Sequence, residues 1–390
     1  MDARTSTIDR AAFWLLAAGL GLTQFNLLTA QTLFGLAAVL WLVLVARRAV
    51  PVRVPPFFVP LAVYAGVTIV SALFSDDRAA SLEDCKQLVL FLIVPVTVAL
   101  ARGPRAMRVV DVAIALGGAA ALVGIVQWTM LGYDELNKRT VGILTHWMTY
   151  SGVLMLVTCA AVARLLFHGR EFVWPAVAVP ALLVALAFTY TRNAWVGTGA
   201  AIAVLFLQRN WRLLLILPAA ALIALVVAPG AVRDRAASIG DMNDLGNRDR
   251  FAMMAIGRDI VADHPLTGVG PDRIKKVYTQ YRPQYAEYAV NPTNPHLHNV
   301  PLQIAAERGL PALAVWLWFI GAAAVDALRR LRRKQDPALA ATALAAIVAM
   351  LTAGLFEYNF GDSEFLMLFL GLISLPYAAA SAQATQAAAP

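Results

Sequence analysis

Residues 294–330 read NPHLHNVPLQIAAERGLPALAVWLWFIGAAAVDALRR. A Pro-rich polar approach carries His296, His298 and Asn299, and an apolar run follows from Val300 to Val325. About 20 apolar residues in a helix cross a hydrocarbon core of roughly 30 Å. The stretch therefore reads as a membrane span with a histidine-asparagine pair at its mouth.

Runs of the same grade recur outward in both directions. The 390 residues are 60% hydrophobic and only 14% charged, whereas soluble domains carry about 25% charged residues. Spans are expected at 11–28, 30–46, 57–74, 87–101, 109–131, 146–167, 172–189, 194–208, 211–228, 300–325, 338–355 and 364–380. The fold class is all-α: a polytopic membrane protein of about 12 transmembrane helices. A β-barrel would show ~10-residue alternating segments instead. The expected division is 1–228 (spans one to nine), 229–299 (a large outer loop with helices), 300–380 (spans ten to twelve) and 381–390 (a low-complexity tail). The first run follows Arg4 and Arg10. No A-x-A-like cleavage site closes it, so it reads as a retained span. Cys85 and Cys159 imply no disulfide framework, and Cys159 sits in an apolar run as a packing residue. No internal repeat stands out, which weakens an inverted-repeat transporter reading.

Basic residues in the short loops orient the spans. With both termini inside, the inner segments hold 17 of the 32 basic residues and six of the 24 acidic ones. The formal charge of +8 then reports topology, and nucleic acid is not an expected partner. Ten of the outer bases fall between Pro229 and Arg308, in a segment built around a loop of about 70 residues. Loops of that length are usually functional or independently structured. Within it, NRDRFAMMAIGRDIVADHP (247–265) reads as a helix capped by Asn247 and ended by Pro265. Phe251, Met254, Ala255 and Ile260 would share its apolar face. LTGVGPD makes a Gly/Pro turn, and Asp272 is placed to cap a second helix through Tyr281. RPQYAEYAVNPTNP reads as an extended approach to the histidines, and the loop is expected to fold over the outer mouth of the bundle.

Several outer residues carry chemistry. Arg192, in AFTYTRNAWVG, lies between two apolar spans; arginine near membrane depth pairs, lines a cavity or snorkels to the interface. Arg248 and Arg250 start the loop helix, where the dipole favours an anion. Lys138 and Arg139 flank the short loop before the sixth span. His298 can accept a proton at neutral pH, with Asn299 beside it and His296 secondary. Arg139, Arg192, Arg248 and His298 come from four segments that the topology brings to one mouth. Arginine forks bind phosphate oxygens and stabilise charge growing on a leaving group. The acidic pairs Asp76-Asp77 and Asp241/Asp244 have no further ligands at metal spacing, and no metal or nucleotide cofactor is expected.

These motifs resemble the O-antigen ligase and polymerase superfamily. HNVPLQIAAERGLPAL resembles its His-Asn, Leu, Glu-x-Gly run entering a span. RDRFAMMAIGRDIVADHPLTGVGPD resembles its Arg-led helix ending in a Pro-Leu-x-Gly-x-Gly turn. TYTRNAWVG resembles its Arg motif at the head of a span, with Thr191 where the family often has Ser, and KRTVGILTHWMTYSG a weaker Arg-x-x-Gly element. The resemblance implies a GT-C-like glycosyltransferase of the bacterial inner membrane with its site facing the periplasm. It implies transfer of a glycan from an undecaprenyl-pyrophosphate-linked donor to a sugar hydroxyl of a lipid A-core acceptor, amid membrane lipids and without metal. His298 would be the general base, Arg192 and Arg248 would bind pyrophosphate, and Arg139, Lys138, Arg250, Asn299 and His296 would line the substrates. Inversion follows from the lack of an obvious covalent nucleophile. An O-antigen polymerase and a protein O-oligosaccharyltransferase remain alternatives within the superfamily. The short tail favours a ligase. A transporter of lipid-linked sugars is the alternative outside it.

Overall fold

The computed structural model describes residues 3–135, 138–168 and 174–387, with side chains described to Ser381. Asp2, Arg170 and Glu171 of the charge count lie outside the described residues, as do residues 172–173 of the seventh expected span and the end of the tail.

The described chain is almost entirely helical: α1 (Ala3–Leu22), α2 (Leu27–Ala46), α3 (Phe58–Phe74), α4 (Arg78–Asp84), α5 (Ile93–Leu100), α6 (Arg105–Met130), α7 (Trp147–Phe167), α8 (Pro175–Phe188), α9 (Arg192–Arg209), α10 (Ile216–Val227), α11 (Gly230–Ala237), α12 (Leu245–Asp263), α13 (Ile274–Tyr281), α14 (Val300–Arg332), α15 (Pro337–Gly354) and α16 (Ser363–Ala387). Lys138–Arg139 pairs with Asp134–Glu135 as a minimal antiparallel ladder. A helix lies at each of the twelve apolar segments. Six of them, α2, α6, α7, α14, α15 and α16, are long and apolar enough to cross a membrane. Three further apolar stretches, in α3, α8 and Trp211–Val227, are shorter. This is an all-α membrane protein.

The first helix departs from its expected limits. It ends at Leu22 because Asn26 opens α2, its side chain accepting from the Thr29 amide. The centre of the bundle is α7, α15 and α16, which are mostly buried, whereas α2 is mostly exposed. Alanines along α15, among them Ala341, Ala345 and Ala349, are fully buried. Small side chains let helix backbones approach where apolar burial against lipid gives little drive. Ion pairs gather at two ends. At one end Asp9 binds Arg102 and Arg105, each at 2.7 Å, and Arg164 meets Asp111 at 2.5 Å. At the other, Arg273 bridges Asp76 and Asp77, and Arg192 meets Asp244.

The long loop holds α11 to α13 and docks on α14. Met253, Ile256 and Ile260 of α12 form a small core with Val269, Ile274, Tyr278, Leu297 and Ala306. The docking depends on a break in α14. Gly309 is non-helical at φ +81, and Pro311 has no amide to return to Glu307. The orphaned carbonyls find amides in the loop: Val269 N–H donates to Ala306 O at 3.0 Å, and Gly270 N–H to Glu307 O at 2.9 Å. In exchange Leu310 N–H donates to Pro265 O. The chains are so close that a Cβ on Gly268 would sit 2.2 Å from the Glu307 backbone, and one on Gly309 would sit 2.1 Å from Leu266 O. Gly268 and Gly309 are therefore steric requirements of one contact.

Local details differ from the sequence expectations. Asp244 caps α12, its side chain accepting from Asn247 N–H, because the Asn247 side chain is taken up by Arg192 and by the Asp241 and Ser238 carbonyls. The helix ends at Asp263, before Pro265. Its buried face is Asp249, Ala252, Met253, Ile256, Gly257 and Ile260, leaving Phe251 and Met254 exposed. Asp249 turns that face inward by accepting from Asn291 and Asn294. Asp272 does not cap α13; its amide donates to Glu307. The approach to the histidines starts as a 3-10 turn, Arg282–Tyr285.

Candidate functional site

Arg192 is the first residue of α9 and is 6% exposed. One terminal nitrogen donates to Ser238 O and Oγ at 2.6 and 2.9 Å; the other donates to Asp244 and Asn247 at 3.0 and 2.8 Å. The side chain pins the loop to the bundle. Beside it a cavity of about 190 Å³ is lined by Arg139, Arg192, Arg235 and Arg250, together with Tyr190, Asp249 and His298. Arg235 donates to Tyr190 O at 3.2 Å and approaches Asp244 at 3.5 Å. Burial, with Arg192 and Arg139 nearby, lowers its guanidinium to about 10. Arg250 has no hydrogen-bond or ion-pair partner among the described residues. Burial lowers its pKa, opposed by Glu357 and reinforced by Arg192. Burial also lowers that of Arg139, which lies over the Trp147 ring at 5.0 Å. Crowded, partly desolvated cations mark a place short of negative charge, and a bound anion would restore them.

His298 sits between the loop and α14 with φ +48. Its Nδ1 lies 2.8 and 2.9 Å from the two carboxylate oxygens of Glu357. Glu357 follows α15 and is 6% exposed. Burial would raise its pKa, but His298 and His296 beside it hold the carboxyl well below its usual range. An ionised carboxylate only accepts, so Nδ1 carries the proton and Nε2 of a neutral imidazole is left as the acceptor. Nε2 has no hydrogen-bond partner among the described residues, and His298 lines the arginine cavity. His296 Nε2 shares Glu357 at 3.2 Å. Burial lowers the His296 pKa, and the Glu357 hydrogen bond and charge more than reverse this. His296 and Glu357 line a second cavity of about 310 Å³.

The remaining expected residues sit around this centre. Asn299 caps α14 by accepting from Leu302 N–H at 2.9 Å, and its amide donates to Leu355 O at 3.0 Å. The amide nitrogen ties the histidine segment to the turn that carries Glu357, and the oxygen fixes the start of α14. Arg248 donates to Glu287 O at 2.6 Å and does not line the arginine cavity. Lys138 donates to Leu131 O and lies over Tyr133, also outside that lining. Glu307 pairs with its neighbour Arg308 at 2.5 Å rather than with a loop arginine. Glu357 and Arg235 went unremarked in the sequence. The only trace of Glu357 in the sequence is an acid, with Asp362, in the short segment between two apolar helices, on the same expected outer side as His298. Among the described residues His296, His298 and Glu357 are the group close enough to ligate a metal; here their ligand atoms are joined by hydrogen bonds.

Residues 176–317 match the Wzy_C family, O-Antigen ligase. This match, over 142 of the 390 residues, supports membership of the O-antigen ligase/polymerase superfamily. Members of that superfamily are glycosyltransferase-like ligases and polymerases, which supports a broad enzyme class for the chain. Family membership carries lipid-linked glycan substrates with it. A search of curated proteins finds no match. The O-antigen ligase segment takes in Arg192, Arg235, Arg250 and His298. Arg139 and Glu357 lie outside it and complete the site from α6–α7 and from the α15–α16 turn.

Proposed function

We propose that this enzyme transfers a glycan from undecaprenyl pyrophosphate to an acceptor hydroxyl on the periplasmic side of the inner membrane, as a ligase whose acceptor is a sugar of lipid A-core. Twelve crossings with both termini cytoplasmic put the arginine cavity at the outer face. The observation that carries the reading is the adjacency of an oriented imidazole, His298 on Glu357, to a cavity of four arginines.

In the proposed reaction the acceptor O–H gives its proton to His298 Nε2 as its oxygen attacks the anomeric carbon. The bond from that carbon to the pyrophosphate oxygen breaks, and its electron pair leaves on the pyrophosphate. One displacement inverts the anomeric centre. Glu357 holds the imidazole and stabilises the imidazolium. Arg250, without a protein partner, would be the first contact for the leaving anion; Arg235, Arg139 and Arg192 would surround it. Arg248, tied to Glu287 O, supports the segment that leads to the histidines. The docked loop excludes water, the competing acceptor. No step needs a metal.

Deleting the gene and resolving lipopolysaccharide on a gel tests the assignment. A core-only band with lipid-linked polymer accumulating is expected, restored by the wild type and not by a well-expressed His298→Ala protein. Core carrying a single repeat would move the acceptor assignment to a polymerase. Full restoration by His298→Ala would sink the base assignment. Transfer by the purified protein should persist in excess chelator; loss reversed by added metal would reassign the histidine–glutamate group as a metal site.

A further inference from the structure

We infer that the second cavity receives the acceptor sugar and selects one free of phosphate and carboxylate near the reacting hydroxyl. The inference rests on the transfer reading above and adds the acceptor's chemical class.

The two cavities meet at the histidine–glutamate pair and have opposite electrostatics. His298 lines the arginine cavity, His296 and Glu357 line the second, and Met148 lines both. The arginine cavity has four guanidinium groups and one carboxylate, Asp249. The second has five carboxylates, Asp84, Asp272, Glu307, Glu357 and Asp362, and one guanidinium, Arg308. That guanidinium is already matched, at 2.5 Å from Glu307 and 3.2 Å from Asp84. With Asp84 and Glu307 on Arg308 and Glu357 on the histidines, the carboxylates of this wall without a cationic partner among the described residues are Asp272 and Asp362, beside the His298–Glu357 pair.

Uncharged hydroxyls suit this wall. Arg308 and Asn359 are 5% and 7% exposed, and each keeps a buried polar atom, Nε and Oδ1, without a partner among the described residues. Thr149 donates its hydroxyl to Asp362 at 2.5 Å, which leaves the hydroxyl oxygen as an acceptor. A sugar hydroxyl can donate to the carboxylates and accept from neutral donors. A phosphate carries about −1.5 to −2 charges at pH 7 and accepts only, so it meets like charge here and opposite charge in the neighbouring cavity. The pairing of cavities would keep the pyrophosphate among the arginines and the body of the nucleophilic sugar in the second cavity, with its reacting hydroxyl reaching past Met148 to His298 Nε2.

The test uses the purified full chain in lipid nanodiscs, with an undecaprenyl-pyrophosphate-linked glycan as donor. Acceptor glycosides are supplied as matched pairs that differ by one phosphate beside the acceptor hydroxyl. Glycan transfer and released undecaprenyl pyrophosphate are both measured. Transfer to the neutral member should exceed that to its phosphorylated twin by about tenfold or more, the order expected for like charges near contact at an effective dielectric of ~20. Asp84→Asn and Asp272→Asn should each shrink that ratio about threefold. Asparagine tolerates the left-handed backbone of Asp272. The ratio is internal to each preparation, so partial loss of folded protein does not affect it. Equal or preferred use of the phosphorylated member, or a ratio that neither variant changes, overturns the inference. No transfer to any acceptor, with no release of undecaprenyl pyrophosphate, overturns the transfer reading itself and this inference with it.

Discussion

Replacing Glu357 by glutamine isolates what the carboxylate does for His298. The substitution keeps size and one acceptor oxygen but removes the negative charge 2.8 Å from Nδ1. In the proposed transition state the imidazole gains a proton, so the lost term is the attraction between imidazolium and carboxylate. With charge centres about 4 Å apart and an effective dielectric near 20, Coulomb's law gives about 4 kcal/mol. Hydrogen bonds to charged groups measure about 1.5–3 kcal/mol net. A loss of about 2–4 kcal/mol corresponds to a fall in kcat of roughly 30- to 1,000-fold, at 1.36 kcal/mol per decade. Glu357 does not line the arginine cavity, but its charge acts on Arg250, so KM for the lipid-linked donor should fall and not rise. Initial rates with purified protein at saturating acceptor would measure both constants, with a thermal melt to confirm folding. A folded Glu357→Gln protein within threefold of wild-type kcat would refute the claim that this carboxylate orients and charges the base.

Arg250→Ala should weaken donor binding and slow transfer by about 10- to 100-fold, since a guanidinium–phosphate contact is charge-assisted; Arg250→Lys should recover part of it, and equal activity in all three would remove Arg250 from the donor site. Gly309→Ala places a Cβ 2.1 Å from Leu266 O at φ +81; the expected outcome is little folded protein, read by detergent-solubilised yield, and a normal yield would contradict the clasp. The His296–Glu357 contact also sets a pH window. His296 is raised above its ordinary 6.5, so its contribution to stability is complete below that value and fades as pH rises through the folded pKa. Glu357 is lowered below its ordinary 4.5, so its contribution is complete above that value and fades as pH falls through the folded pKa. The melting-temperature advantage of wild type over Glu357→Gln should therefore peak between about pH 4.5 and 6.5. An advantage that is flat or smallest in that window would count against the assignment.

The sequence announced the helical membrane architecture through its apolar runs, because lipid forces backbone groups to pair within each helix. It also brought His298 forward, since a polar histidine segment directly before a span is conspicuous. What it hid depended on partners distant in sequence. Glu357 lies 59 residues beyond His298, and no local spacing predicts that a turn between two later helices swings a carboxylate under the ring. The choice between Arg248 and Arg250 turned on the rotation of α12. Two residues apart on a helix means nearly opposite faces, and an apolar count favoured Phe251 and Met254. The rotation is set instead by Asp249, a polar residue buried for its bonds to Asn291 and Asn294, which a hydrophobic pattern reads with the wrong sign. Arg235 looked like one more charge in a polar loop, and only the fold brings it beside Arg192.

The contact between the 265–270 turn and the broken α14 limits how this protein can be taken apart. The small core of the loop borrows Leu302 and Ala306 from α14, and the turn's amides are satisfied by α14 carbonyls. The loop is therefore not a detachable module. Excised as a soluble fragment, it would lack a wall and two hydrogen-bond acceptors. Grafting a loop from another superfamily member would require carrying residues 300–310 along with it, so that donor turn and acceptor helix come from the same parent. Any recombination boundary used to trade acceptor preference between relatives belongs after Leu310, in the uninterrupted half of α14, and not at the apparent edge of the loop.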